Sequence, residues 1–158
     1  MIADEKPNLE RKHITLQKNF SSDVPVIHAD PKLLRVIFQN LISNAIKYTP
    51  DNGTVSVSIQ LEADKRNVHI TVKDSGYGIP KDQHEKIFTK LFRADNVKVR
   101  ETDGTGLGLY IVKSIIDHSR GKIWFESEVN KGTTFHVTIP VAGMRRKEGA
   151  TKLQESTF

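Results

Sequence analysis

The segment from Leu33 to Tyr48 sets an apolar helical pattern against two amides, and this conflict constrains the chain more than any other feature. Leu33, Leu34, Ile37, Phe38, Leu41, Ile42, Ala45 and Ile46 recur at helical spacing. At about 100° per residue, Leu33, Ile37, Asn40 and Asn44 fall within one arc about 60° wide. Asn40, Asn44 and then Lys47 therefore lie at the edge of a core-facing stripe. A polar group in such a place costs free energy unless something satisfies it. An amide oxygen beside an ammonium suits a hard cation and a phosphate. Taken alone, the pattern fits a partly solvated helix edge equally well.

Two glycine clusters downstream shift the balance toward a ligand. Asp74-Ser-Gly-Tyr-Gly-Ile79 follows Val68, Ile70 and Val72, so a period-two strand breaks into a Gly-rich turn. Gly104-Thr-Gly-Leu-Gly-Leu109 leads into the helical run Leu109, Ile111, Val112, Ile115 and Ile116. Glycines at a helix N-terminus let backbone N–H groups close on a phosphate, aided by the positive end of the helix dipole. Either cluster alone also marks an ordinary turn or helix start.

A chain of 158 residues is one domain's worth, with a core of ordinary size. No apolar stretch approaches the length of a membrane span, and no signal peptide is read at the N-terminus. The absence of cysteine excludes disulfides and thiolate metal sites and fits a reducing cytoplasm. The net charge is +5, but residues 141–158 hold four Lys/Arg and two Asp/Glu, so +2 of it lies in that tail. With no basic stripe interleaved with aromatics, nucleic acid is not an expected partner.

The spacing predicts a strand at about 13–18 and a helix from an Asp30 N-cap, with Pro31 at N1, to about Tyr48. A hairpin of 54–61 with 67–74 follows, then a short helix at 82–92 and a charged, irregular stretch at 93–105. A helix at 106–119 and a hairpin of 122–129 with 133–140, turning at Asn130-Lys-Gly132, complete the reading. Residues 1–12 read as a linker or the end of a preceding helix, and the basic segment 141–158 is expected to fray. Together these elements predict an α+β fold, a two-layer α/β sandwich. Three main helices cover one face of a mixed, mostly antiparallel sheet, and the alternating charges of Ala94–Asp103 give the composition of a mobile lid.

From about residue 13 to 140 the sequence resembles the catalytic ATP-binding domain of sensor histidine kinases, in the superfamily shared with gyrase B subunits, MutL and heat-shock chaperones. Asn40 to Pro50 is similar to the N box, and Asp74 to Gly78 and Gly104 to Leu109 to the two glycine boxes. Ile87-Phe-Thr-Lys-Leu-Phe-Arg93 is similar to the F box. The resemblance implies that Asn44, assisted by Asn40, ligates Mg²⁺, and that Lys47 meets ATP phosphate oxygens. Mg²⁺ prefers a tight octahedron of oxygens with few from protein, which agrees with this role. Tyr48 would pack near the adenine or ribose. Asp74 would accept from the adenine exocyclic amine, where guanine carries a carbonyl; the alternative is a turn-capping carboxylate. Gly76, Gly78 and Ile79 would let backbone approach the base. Gly104, Thr105, Gly106, Leu107, Gly108 and Leu109 would close over the triphosphate. Arg93 would reach the phosphates, its alternative being a solvated lid arginine; Phe88 and Phe92 would anchor the lid hinge.

Two positions depart from the family pattern. Thr89 stands where Glu is frequent, and Arg120-Gly121 replaces the usual Gly-Gly pair. The family transfers its phosphoryl group to a histidine on a separate helical hairpin, from which a response regulator receives it. His84-Glu85 alone among the six histidines has an acidic residue next, but no helical hairpin surrounds it. His13, His28, His69, His84, His118 and His136 all read as surface or sheet-face residues, so the acceptor is expected N-terminal to residue 1. The domain itself makes no expected membrane contact and is expected in the cytoplasm. Rival readings are a water-activating ATPase of the gyrase–chaperone type, an anti-sigma-factor-type serine kinase, and a nucleotide-binding module without transfer activity. The first needs a Glu ahead of the N-box Asn, where Gln39 and Ser43 stand. P-loop and protein-kinase signatures are missing altogether.

Overall fold

Asp30 and Pro31 start the amide-bearing helix where the sequence predicts it. The computed structural model of the chain describes residues 3–98 and 105–144. Helix α1 (Lys6–Arg11) and strand β1 (Thr15–Phe20) precede helix α2 (Pro31–Tyr48). Strands β2 (Thr54–Leu61) and β3 (Asn67–Asp74), a 3-10 turn (Lys81–Lys86), and helices α3 (Asp95–Lys98) and α4 (Gly108–His118) follow. Strands β4 (Lys122–Glu128) and β5 (Gly132–Pro140) end the fold. Asp30 holds an extended backbone while its Oδ1 accepts from Lys32 N–H at 2.8 Å, satisfying one of the orphan donors of α2. At the other end, buried Lys12 donates through Nζ to the carbonyls of Ile46 (3.2 Å) and Lys47 (2.8 Å). That cation caps the negative end of the helix that carries both amides.

The five strands run in the order β1-β2-β3-β5-β4, with β1 parallel to β2 and every other pair antiparallel. Ile37, Leu41, Ile42, Ala45 and Ile46 of α2 and Val112 and Ile116 of α4 are buried. They share one core with the inward positions of the sheet: Val55, Val57, Val68, Ile70, Val72, Val137 and Ile139. Burial of this period-two set beneath two amphipathic helices is the main drive for the two-layer sandwich. On the opposite face Trp124 stacks on His136 (5.0 Å between centroids, 7°) and on His69 (5.4 Å, 23°).

The expected helix at 82–92 is instead a 3-10 turn at Lys81–Lys86 followed by irregular backbone. Tertiary contacts override the local pattern. Gln83 is buried and exchanges two bonds with Asp95, at 2.8 and 2.9 Å, while Phe88 packs edge-on against Phe125 at 5.7 Å. Leu91 then takes φ 63°, which no helix accommodates. Among the described residues two long helices, not three, therefore cover the sheet, and the stretch expected to be irregular contains α3.

Helix α4 begins at Gly108, two residues later than expected, and ends at Ser119 in a Schellman motif. Arg120 N–H bonds Asp117 O and Gly121 N–H bonds Ile116 O, at 3.2 and 3.0 Å. The left-handed position of that motif, which favours glycine, is held here by Arg120 at φ 58°. A Cβ on Gly121 would run into the Thr138 carbonyl, so only the first residue of the pair could depart from glycine.

Residues 6–11 are helical, with Leu9 against the core. Residues 141–144 do not fray: Met144 is buried and its N–H bonds His28 O at 2.9 Å. The rest of the basic tail, from 145 on, and lid residues 99–104 lie outside the described residues.

Candidate functional site

A cavity of about 280 Å³ opens between the C-terminal half of α2, the turn after β3, the start of α4 and β5. Positions 40, 43, 44, 47 and 48 repeat at three and four residues, so one edge of α2 presents Asn40, Ser43, Asn44, Lys47 and Tyr48 to it. Asn40 is fixed by its own helix, Nδ2 donating to Val36 O at 2.8 Å, which leaves Oδ1 facing Gly108. A Cβ on Gly108 would collide with that oxygen, so glycine lets α4 approach α2. The amide of Asn44 makes no hydrogen bond among the described residues, although it sits half-buried in the wall. Lys47 Nζ lies 5.6 Å from the centroid of the Tyr48 ring.

Asp74 closes the opposite end. It is 5% exposed, and its Oδ1 accepts from the backbone N–H groups of Gly76 (2.8 Å) and Thr133 (3.1 Å). Oδ2 accepts nothing among the described residues. Burial pushes this carboxyl up to about 6, and the two backbone bonds offset only part of the desolvation. Gly78 and Ile79 line the cavity. Gly76 does not: it shapes the site by donating to Asp74, and a Cβ there would strike Tyr48 O. Tyr77 N–H bonds Tyr48 O at 3.1 Å and thereby ties the turn to the end of α2.

Arg93, Thr105, Gly106, Gly108 and Leu109 line the third side. Leu107 is the N-cap of α4 and does not reach the cavity, while Gly104 lies outside the described residues. Among the described residues no side chain caps the N-terminus of α4, which leaves its first N–H groups available to an anion. Ser43, Ile87, Phe92, Ala94, Thr133 and Phe135 also line the cavity and are not marked as site residues by the sequence, Phe92 being expected only as a hinge anchor. Period-two patterning had marked the final strand, but nothing local shows that its start abuts Asp74.

None of the six histidines lines this cavity. His84 is engaged with Ile79 O at 3.0 Å and the Phe125 ring, and His118 with Ser114 O at 2.6 Å. No group of three or more His, Cys, Asp or Glu among the described residues could hold a metal alone. Two neutral amide oxygens suit an ion that takes most of its ligands from phosphate and water.

A cavity with a buried carboxylate at one end, and amides, a lysine and an open helix N-terminus elsewhere in its wall, defines a nucleotide-binding α+β sandwich. Residues 29–143 match the family described as histidine kinase-, DNA gyrase B-, and HSP90-like ATPase, and the chain belongs to this family as a catalytic domain of the sensor-histidine-kinase type. It is 41% identical over 141 residues to the adaptive-response sensory kinase SasA of Rippkaea orientalis, covering 89% of this chain and 35% of that one. The nucleotide-free catalytic domain of histidine kinase ThkA superposes with a TM-score of 0.73 at 31% identity, covering 87% and 86% of the two chains. ThkA has also been solved in complex with the response regulator TrrA (TM-score 0.68, 26% identity, 87% and 37% covered). Full-length ShkA in complex with AMPPNP gives a TM-score of 0.74 at 30% identity, covering 87% and 28%. The chain spans about a third of the length of the SasA relatives it matches.

Proposed function

We propose that this domain binds Mg-ATP in the described cavity and presents the γ-phosphate to a histidine on a separate helical hairpin. The observation that carries the reading is the cavity's polarity. A buried acceptor, Asp74, suits the adenine amine, while Asn40, Asn44, Lys47, Arg93 and the N-terminus of α4 suit a metal triphosphate. The AMPPNP bound to ShkA supports the nucleotide, and the ThkA–TrrA complex supports a response regulator as the downstream partner. Thr105, Gly106, Gly108 and Leu109 would close over the triphosphate from the lid side, and residues 13–140 would make up the catalytic unit. Because its substrate is ATP, the domain works in the cytoplasm; no described helix is long and apolar enough to cross a membrane.

In the transfer the imidazole nitrogen bonds the γ-phosphorus as the bond to the ADP oxygen breaks, so the protein's task is alignment and charge stabilisation. Mg²⁺, when bound, neutralises charge on the phosphate oxygens. Asn44 and Asn40 would hold it, Lys47 and Arg93 would bind phosphate oxygens, and Tyr48 would pack on the nucleoside. Hydrolysis is disfavoured because Ser43, ahead of Asn44 in the wall, is no base and Gln39 is exposed. Calorimetry with ATP, ADP and GTP, with and without Mg²⁺, tests the reading. Binding in the micromolar to millimolar range, strengthened by Mg²⁺ and much weaker for GTP, is expected. Equal affinity for GTP contradicts the assignment of Asp74.

A further inference from the structure

One peptide unit in the cavity wall is held at both of its polar ends by side chains from distant elements. Asn96 of α3 donates through Nδ2 to Gly78 O at 2.9 Å, and Ile79 N–H donates to Ser127 Oγ of β4 at 2.8 Å. The carbonyl and the N–H belong to the same Gly78–Ile79 peptide, and both residues line the cavity. Gly78 has φ +65°, and a Cβ on it would collide with the Glu128 carbonyl, so the turn lies directly on β4. Glycine gives this unit a freedom to reorient that other residues lack. Two hydrogen bonds acting on its opposite ends remove that freedom.

Ser127 also connects this unit to the carboxylate. Its Oγ lies 3.1 Å from Gly132 O and 2.8 Å from Thr133 Oγ1, and Thr133 N–H bonds Asp74 Oδ1. Asn96 donates to Gly78 while its Oδ1 is buried without a partner among the described residues, so within them the bond to Gly78 is the polar contribution of that side chain.

We propose that Asn96 and Ser127 are positioning residues for base recognition: they fix the Gly78–Ile79 peptide plane relative to Asp74, and so set the choice of adenine over guanine without touching the nucleotide. This rests on the nucleotide-binding reading above. The experiment measures ATP and GTP affinities by calorimetry, with ligand-free melts, for the wild type, Asn96→Ala, Asn96→Asp, Ser127→Ala, Ser127→Thr and the double alanine variant. Each alanine variant loses about 3- to 10-fold in ATP affinity, the worth of one uncharged hydrogen bond, with a smaller loss for GTP. Asn96→Asp, which sets an acceptor of the same shape against the carbonyl, loses more, and Ser127→Thr retains near wild-type affinity. The double variant is little worse than the poorer single one, because both residues act on one peptide unit. Where Ser127→Ala melts too low to assay, the Asn96 pair carries the test. A wild type that binds ATP, with an ATP-to-GTP ratio unchanged in the variants or losses that multiply in the double variant, overturns this inference alone. A wild type that binds no ATP overturns the nucleotide reading, and this inference with it.

Discussion

Thr133 donates its backbone N–H to Asp74 Oδ1 across 3.1 Å, joining residues 59 apart in sequence at the closed end of the cavity. The register of β3 with β5, in which Lys73 faces Thr134, sets this contact. It holds a carboxylate in a place too dry for it, and the carboxyl is pushed up to about 6.

The sign of the resulting pH dependence follows from linkage. Between pH 4 and 6 the folded domain keeps a proton on Asp74 that the unfolded chain has lost, so stability falls as pH rises through that window. Above it the ligand-free fold is weaker by up to about 3 kcal/mol from this group. Asp74→Asn therefore raises the ligand-free melting temperature at pH 7.5 and about half as much at pH 5, while relaxing the preference for ATP over GTP. Melts at the two pH values check this; a difference independent of pH contradicts it.

Asn44→Ala separates ligand from fold. The amide has no partner among the described residues, so its removal costs the empty domain little, within about 0.5 kcal/mol either way. Mg-ATP affinity falls by about 10-fold or more, and the stimulation by Mg²⁺ shrinks. Calorimetry beside thermal melts decides it. A large loss of stability without ligand would make Asn44 a structural residue.

Arg120→Gly stabilises the domain. Arg120 occupies the left-handed position of the Schellman motif that ends α4, at a cost of about 1 to 2 kcal/mol that glycine does not bear. The greater freedom of glycine in the unfolded chain returns part of this, leaving about 0.5 to 1 kcal/mol. A rise in melting temperature of about 1 to 4 °C is expected; a fall would show that the Arg120 side chain makes a stabilising contact worth more than the strain.

Local chemistry made much of this architecture legible in advance. Asp30, Pro31 and the apolar stripe define α2, and the alternation of Val68, Ile70 and Val72 defines β3, because each depends on residues a few positions apart. Most of the expected nucleotide-contacting residues converge on one cavity for the same reason, since the amides share a helix edge and the glycines occupy the turn and helix start beside it. What escaped depends on distant pairing. Thr133 meets Asp74 only through the β3–β5 register, Gln83 is drawn out of a helix by Asp95, and Asn96 and Ser127 meet at a peptide belonging to neither.

Under the proposed function this chain supplies the nucleotide side of a phosphoryl transfer to a histidine on a separate helical hairpin. Incubating the chain with γ-labelled ATP, alone and with the cognate helical hairpin added as a separate polypeptide, tests it most directly. This chain alone should show negligible hydrolysis and take up no label. With the hairpin present, slow and concentration-dependent labelling of that hairpin is expected, labile in acid and stable in alkali, because the chemistry persists while proximity is lost. Robust labelling of this chain by itself, or a label on the hairpin that survives acid, would contradict it.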